Sequence, residues 1–537
     1  MADKQLPWYH IGLSVMATQA SAITFISAPG LAYTDGLRFV QFYFGLPLAM
    51  VVLCITFVPM FRNLNVFTAY EFIEKRFDTR TRLLTAGLFL LQRGLSTGIT
   101  IYAPSIILST ILGIDINYTI LLIGTLVILY TVYGGAKAVS YSQLFQMFVI
   151  FAGLFAAAFM VVHLLPAGVG LTDALHIAGK MGRLNAIDTK FDLNNRYNIW
   201  SGIIGGFFLQ LSYFGTDQSQ VGRYLTGRSI AQSRLGLIMN GLIKIPMQFF
   251  ILLIGTLVFA FYQFHQPPVF FNKTEIAQIE NSSSKEAFHK LEAEYNQANT
   301  EKQIAVIEML KAVHANEGAM DGSAGSMDAA RSNLLQADEK AQTIRKEAIQ
   351  LIAKNDPKTD TNDSNYIFLS FVTGYLPKGL IGLLIAIIFL ASMGSMASAL
   401  NSLASTTLVD FYKRLYRKTG TDALYLRTSR SMTLAWGIFC IGIAFYASRL
   451  GNLIEAVNIL GSLFYGTILG IFLVAFYMKH IGGKAVFYAA LIAEGFIVIA
   501  WLINLCAFLW LNVAGCLLVM LLAVILQKSV FPRRRII

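Results

Sequence analysis

The 537-residue chain is 55% hydrophobic and only 13% charged, with a mean hydropathy of +0.59, whereas soluble domains carry about 25% charged residues; a water-soluble globular protein is excluded. The net charge of +12 raises nucleic acid as a partner, a reading that depends on where the basic residues lie. Cys54, Cys440, Cys506 and Cys516 sit in apolar runs without CxxC spacing, so they point to neither a disulfide framework nor a metal site.

Several apolar runs exceed the roughly 20 residues that a helix needs to cross a bilayer. The sequence predicts twelve membrane helices, near 8–33, 39–60, 83–112, 118–133, 140–165, 199–224, 235–264, 366–412, 431–447, 453–478, 485–503 and 507–527. The first run continues too far for a cleaved signal peptide. An even number of spans puts both ends on one side. With those ends inside, the inner segments hold Arg62, Lys75, Arg76, Arg80, Arg82, Lys137, Arg223, Arg228, Arg234, Lys413, Arg414, Arg417, Lys418, Arg427, Arg430, Lys479, Lys484, Lys528 and Arg533 to Arg535. The short outer turns hold Arg38 and Arg449. This positive-inside pattern accounts for the basic charge without nucleic acid.

Between the spans, AYEFIEKRF (69–77) is short and amphipathic, predicted to lie along the inner membrane surface. Residues 168–198 are mixed and polar, predicted to cap the outer mouth. Residues 266–365 form a polar insertion rich in Ala, Glu, Lys, Gln and Asn, expected to be helical or partly disordered, to lie outside, and to be a solvated decoration more than a partner surface. The chain thus divides into 1–265 (first core repeat and the start of a second), the insertion 266–365, 366–478 (the rest of the second repeat) and 479–537 (two peripheral helices and a basic tail).

Polar residues interrupt three spans. MATQASAITFISAPG (16–30) places Thr18, Gln19, Ser21, Thr24 and Ser27 in the first and ends in Pro29-Gly30. Such residues either back-bond within a continuous helix or serve an unwound segment whose free carbonyls bind ions and solute. FFLQLSYFGTDQSQVGRYLTGRS (207–229) does the same in the sixth span with Gln210, Ser212, Tyr213, Thr216, Asp217 and Gln218. The first and sixth spans are equivalent members of two five-helix halves if those halves are inverted repeats. In the eighth, ASMGSMASALNSLASTTLVD (391–410) sets Ala391, Ser395, Ser398, Ser402 and Ser405 within roughly 80° of arc at about 100° per residue. That stripe suits close helix packing or neutral oxygens for a small hard cation. The seventh span adds Asn240 and Lys244, and such a lysine must be paired, face water or snorkel.

Together and in order, ATQASAITFISAPG, YEFIEKRF, YGGAKAV (133–139), YFGTDQSQVGRYL (213–225), ALNS (399–402) and GSLFYGTILGIFLVAF (461–476) make the chain resemble the sodium/solute symporters that include sodium/glucose, sodium/proline and sodium/sialic acid carriers. The resemblance covers nearly the whole chain. It implies an all-α polytopic membrane protein: a ten-helix core of two inverted five-helix repeats with broken first and sixth helices, plus two C-terminal helices. It also implies a sodium site formed by Ala17 and Ala20 with Ala391, Gly394 and Ser395. Gly394 departs from the pattern, since many relatives have a hydroxyl there, so one ligand must be a water, a carbonyl or a neighbouring serine. Where relatives have a fifth-helix carboxylate this chain has Gln143, which argues for one sodium ion per solute; Gln143 and Ser398 are candidate coupling residues. Gln19, Thr24, Gln210 and Lys244 match solute-contacting positions, and Tyr213 matches an inner-gate tyrosine. Members ordinarily have one further helix ahead of the one beginning near Trp8, so a twelve-helix chain has its N-terminus inside.

The reading is a plasma-membrane symporter that uses a sodium gradient to import a small polar organic solute: a sugar, sugar acid, polyol or monocarboxylate. Sodium is the co-transported ion, and the partners are the solute and the lipid bilayer. Proton-coupled or uncoupled transport, a channel and a solute sensor are the alternatives. HExxH and P-loop motifs are absent from the sequence, and its GxSxG match, GLSTG (94–98), falls inside the membrane helix predicted at 83–112 and not at a strand-to-helix turn, so no enzyme is expected.

Overall fold

The structure, a computed structural model, describes residues 6–63, 68–317, 324–356, 359–417 and 419–532, without the side chains of 134–142, 144–145, 316–317, 324 and 448. Lys418 and the basic tail at Arg533 to Arg535 lie outside the described residues, as do the side chains of most of the YGGAKAV motif. Helices dominate: in chain order α1 (Trp8–Gln19), α2 (Ala22–Asp35), α3 (Leu46–Ile55), α4 (Phe57–Asn63), α5 (Ala69–Arg76), α6 (Thr79–Leu112), α7 (Ile116–His163), α8 (Leu171–Lys180), α9 (Gly206–Thr216), α10 (Gln218–Tyr224) and α11 (Ile230–Phe264). Then follow α12 (Lys273–Glu280), α13 (Lys285–Glu317), α14 (Ala324–Asn355), α15 (Ser364–Tyr375), α16 (Lys378–Thr406), α17 (Asp422–Ala444), α18 (Leu453–Tyr477), α19 (Gly483–Leu502) and α20 (Phe508–Ser529).

Among the described residues nine helical stretches are long and apolar enough to cross a membrane, against twelve expected from the sequence. The difference has physical causes. The first and sixth spans are broken into pieces of 14 residues or fewer, the start of α17 carries charge, and α2 runs on through α3 and α4 as one apolar stretch. The spans expected at 118–133 and 140–165 share the continuous helical backbone of α7.

The single helix expected at 366–412 is two. Leu376 is extended at ψ 154°, and Pro377 caps α16; proline lacks an N–H and drives the residue before it out of the helical region. The released piece, α15, lies on α2. Their approach is so close that a Cβ on Gly30 would stand 1.8 Å from the Ser364 carbonyl oxygen, so only glycine fits there.

Most of the insertion's described residues are helical, in α12, α13 and α14, with irregular stretches at 266–272, 281–284 and 359–363. α13 and α14 form a long antiparallel pair whose buried Val306, Met309 and Leu334 pack with Ile177 of α8. His314 Nε2 lies 2.6 Å from Asp173 Oδ1, joining the hairpin to the 168–198 segment, and the accepted bond from the Gly170 N–H with this contact holds the Asp173 carboxyl below its usual range. Arg345 Nη2 reaches both Asp363 carboxylate oxygens at 2.7 Å, securing the hairpin to the start of α15.

At the opposite end of the bundle, α5 does not float on the surface. Its Tyr70 and Ile73 are fully buried, and its Glu74 accepts from Arg82 of α6 at 2.6 Å. Arg82 also reaches Asp410, beyond α16, at 2.5 Å, and Thr68 donates to the same carboxylate at 2.9 Å. α5 therefore locks across the end of the bundle.

Candidate solute and cation site

Two helix breaks define the centre of the bundle. In the first, α1 stops at Gln19; Ala20 has ψ 89° and Ser21 is extended at ψ 178° before α2 begins. The unwound residues fall inside the polar stretch 16–30, which decides between the two readings of it in favour of a broken helix. Among the described residues no charged side chain bonds Ala20, Ser21 or Ala22; Arg223 reaches Ser14 of α1 and Ser398 of α16 nearby. The Ala22 N–H donates to Ser392 Oγ of α16 at 3.1 Å. From α7, Gln143 accepts from Ser14 Oγ at 2.9 Å and donates to Thr18 Oγ1 and to the Gly394 carbonyl, both at 3.4 Å. The donors here are hydroxyl, amide and backbone oxygens, a set suited to a hard monovalent cation. Among the described residues no group of three or more His, Cys, Asp or Glu gathers to hold a metal ion.

In the second break, α9 ends at Thr216 and Asp217 is extended at ψ 119° before α10. Asp217 Oδ1 caps α10, accepting from Ser219 N at 2.8 Å and Ser219 Oγ at 2.6 Å. Its Oδ2 accepts from Arg93 Nη2 of α6 at 2.6 Å and from Tyr465 OH of α18 at 2.8 Å. Arg93 also lies 5.5 Å from the Tyr213 ring centroid, and Tyr213 OH accepts from Gln220 at 2.6 Å.

Between the breaks lies a cavity of about 110 Å³. Its walls come from both breaks and from α6 and α18, and they include Gln19, Thr24, Gln92, Arg93, Gln210 and Tyr213. Among the described residues, buried amide atoms there lack hydrogen-bond partners: Gln19 Oε1, Gln92 Oε1, and both ends of Gln210; Arg93 Nε is likewise unpartnered. Buried polar groups left so cost about 1–3 kcal/mol each, a strain that a polar guest relieves.

The profile of the sodium:solute symporter family matches residues 1–296 and 348–493. The chain belongs to that family. Among curated relatives, it is 25% identical to the sodium-dependent multivitamin transporter of Oryctolagus cuniculus over 88% of this chain and 60% of that protein. It is 34% identical to the Homo sapiens sodium/iodide cotransporter over 43% of this chain and 35% of that one. The Homo sapiens sodium-coupled monocarboxylate transporter 1 is 25% identical over 88% and 63%. The match therefore spans less than two thirds of each of these relatives. A solved substrate-bound, outward-open sodium-coupled sialic acid symporter superposes with a TM-score of 0.72 at 22% identity, covering 98% of this chain and 90% of that one. That likeness establishes the shared fold, a multi-pass helical core with broken first and sixth helices.

Within this symporter fold, the residues expected at the site divide. Gln19, Thr24, Gln210, Tyr213 and Ser395 line the cavity together. Ala17, Ala20, Ala391 and Gly394 are buried where α1 and α16 meet. Lys244 does not line the cavity: it is 1% exposed, with Nζ 5.9 Å from the ring centroid of Tyr43, itself a wall residue. Its burial also rules out snorkelling. The serine stripe splits too. Ser395, Ser402 and Ser405 all donate to their own helix's carbonyls, at 3.0, 2.9 and 3.1 Å, the packing role, and of these Ser395 also lines the cavity; Ser398 Oγ accepts from Arg223 Nη2 at 2.7 Å, and Ser392, beside the stripe, accepts from α2. Gln92, Arg93, Asn458 and Tyr465 were not singled out from the sequence. The signal for Arg93 was there, a guanidinium inside an apolar span.

Proposed function

We propose that this chain is a sodium-coupled symporter importing a small polar organic solute by alternating access. The observation that carries the reading is the uncharged break at Ala20–Ser21, facing α16 and opening beside a cavity with unpartnered amide groups. Sodium sits between the carbonyls of Ala17 and Ala20 and the oxygens of Ala391, Gly394 and Ser395. Tyr213 closes the cavity on the side of α10, and Ser398 and Gln143 couple the ion site to its surroundings. One ion accompanies each solute, because Gln143 brings an amide and no negative charge.

Coupling requires that sodium bind the outward-open state more tightly than the inward-open one, or it shifts no population. One charge falling through 100 mV contributes about 2.3 kcal/mol to accumulation. The positive-inside pattern supports a plasma-membrane orientation with cytoplasmic termini and the 266–365 insertion outside, dividing the chain at 265, 365 and 478 as read from the sequence.

A sugar or polyol fits the cavity better than a sugar acid or monocarboxylate. Its walls offer amide oxygens to hydroxyl donors, Arg93 is already neutralised by Asp217, and Lys244 stands away. A second reading, an anion, draws on the relatives named for iodide and monocarboxylate and on the unpartnered Arg93 Nε. Thermal stabilisation of the purified protein by a panel of neutral polyols and carboxylates, in sodium and in choline, separates the two. Uptake of the stabilising solute into proteoliposomes should then require a sodium gradient; uptake driven equally by a proton gradient in choline would overturn sodium coupling.

A further inference from the structure

The short helix α5 has two sides, and the lock across the bundle uses only one of them. Tyr70 and Ile73 are buried, while Phe72 and Arg76, four residues apart and so on one face, meet the ends of α4 and α18. Between these three elements lies an open-sided cleft of about 570 Å³, within the roughly 300–1,000 Å³ of small-molecule sites. Its floor is apolar, made by Met60, Phe72, Ala475 and Phe476, with the Phe72 and Phe476 ring centroids 5.0 Å apart. Its rim is Asn63, Arg76 and Lys479, and among the described residues no acidic side chain lines it.

The rim cations are fixed by neutral groups. Arg76 Nε donates to the Ala475 carbonyl at 3.3 Å, and Nη2 donates to those of Met478 and Ile481 at 3.1 and 3.3 Å. A helix leaves its last carbonyls without internal partners, so the end of α18 pins this guanidinium at the mouth of the cleft. Lys479 is exposed and has no ion pair among the described residues. The nearest carboxylate on α5 is engaged elsewhere, since Glu74 accepts from Arg82 and Arg414. Met60 and Asn63 close an apolar stretch long enough to cross the membrane. Further along that stretch α3 exposes Leu48, Val51 and Ile55, spaced as one stripe of a helix. A cationic rim thus stands at the end of an apolar surface that runs into the bilayer.

We propose that this cleft binds an anionic phospholipid, its phosphate between Arg76 and Lys479 and its acyl chains over Met60, Phe72 and the exposed stripe of α3. A soluble anion matches the rim but leaves the apolar floor in water, and a zwitterionic lipid brings a further cation to a rim that already holds two. Bound there, the lipid ties α5 to the end of α18 on the side away from Arg82, so the lock is braced from both faces. With the orientation proposed above, the leaflet concerned is the cytoplasmic one, where anionic lipid is concentrated; lipid binding itself requires neither that orientation nor sodium.

Binding is read as thermal stabilisation of the purified full-length protein in a neutral detergent, titrated with dioleoylphosphatidylglycerol, with dioleoylphosphatidylcholine, or with potassium phosphate at matched ionic strength. Phosphatidylglycerol should act at concentrations about fivefold lower than phosphatidylcholine or less, and phosphate should not stabilise. Equal stabilisation by the two lipids, or phosphate matching phosphatidylglycerol, overturns the proposal. Lys479→Gln should raise the half-maximal phosphatidylglycerol concentration about fivefold, the effect of one basic residue beside an anionic lipid surface. Arg427→Gln removes an exposed charge from α17, outside the cleft, and should leave that concentration unchanged. Equal responses in these two variants assign the attraction to the basic surface at large and overturn the site. Asn63→Glu sets a negative charge at the exposed rim and serves where the lysine variant does not fold; it should weaken phosphatidylglycerol at least as much, and an unchanged response there is equally decisive against the site.

Discussion

The chain interrupts a membrane helix twice, and the two interruptions are satisfied by opposite means. At Asp217 an ionised pair does the work: each carboxylate oxygen accepts two bonds, from Ser219 on one side and from Arg93 and Tyr465 on the other. That break is complete as built and leaves nothing for a guest ion. At Ala20–Ser21 only dipoles are used, a serine hydroxyl from α16 and a glutamine amide from α7. Dipoles are cheaper to bury than charges and can turn toward a cation that comes and goes. On the function proposed above, one break is a fixed strut and the other an exchangeable site, and the cavity lies between them.

The contrast is broken most directly at the strut. Replacing Asp217 by Asn or Arg93 by Met leaves the partner buried without its counter-charge, a loss of about 3–5 kcal/mol, whereas replacing both removes the charge problem altogether. Thermal unfolding in detergent should show each single variant severely destabilised and Arg93→Met/Asp217→Asn more stable than either. Single variants as stable as the parent would mean that the pair carries no structural duty. At the exchangeable break the same measurement should move less. Ser392→Ala removes the acceptor from the Ala22 N–H, costing about 1–3 kcal/mol. Ser395→Ala should leave stability in choline nearly unchanged and raise the sodium concentration for half-maximal uptake by about tenfold. A sodium dependence identical to the parent's would remove Ser395 from the site.

Much of this architecture was legible from residue order. Apolar runs interrupted by Thr, Gln and Ser marked the first break, and GTDQS marked the second, because polar atoms in a bilayer need a reason to be there. What stayed hidden was pairing in space. Arg93 sits in LLQRGLS, where the rule that drew notice to Lys244 applies equally, yet no local pattern tells that its partner is Asp217, 124 residues away. Lys244, noticed by the same rule, lies against Tyr43 and does not itself line the cavity, and residue order does not tell which face of its helix meets the site. Leu376-Pro377 was readable as a helix end, and the apolar run continuing past it concealed that α15 is a separate piece lying on α2.

Outside the membrane the contrast between paired and unpaired charge recurs on a smaller scale at the base of the insertion. Asp363 is held by both oxygens on Arg345. Asp360, three residues earlier, has no ion pair among the described residues; burial, with Asp363 and Glu275 nearby, pushes its carboxyl up from 3.8 to about 6 despite a bond from the Asn362 N–H. A group whose folded pKa is raised binds more protons folded than unfolded. Its stabilising effect is thus fully present below pH 3.8 and is lost as the pH rises through about 6. Allowing for its partial contact with water, the effect is on the order of 1 kcal/mol. Hydrogen exchange in α12 and the end of α14, corrected for intrinsic rates, should be slower at about pH 5 than at about pH 7.5. Asp360→Asn should flatten that difference while leaving the sodium response of the core untouched. A pH effect of equal size in the Asn variant would assign it elsewhere, with Glu275, also raised by burial, as the next group to replace.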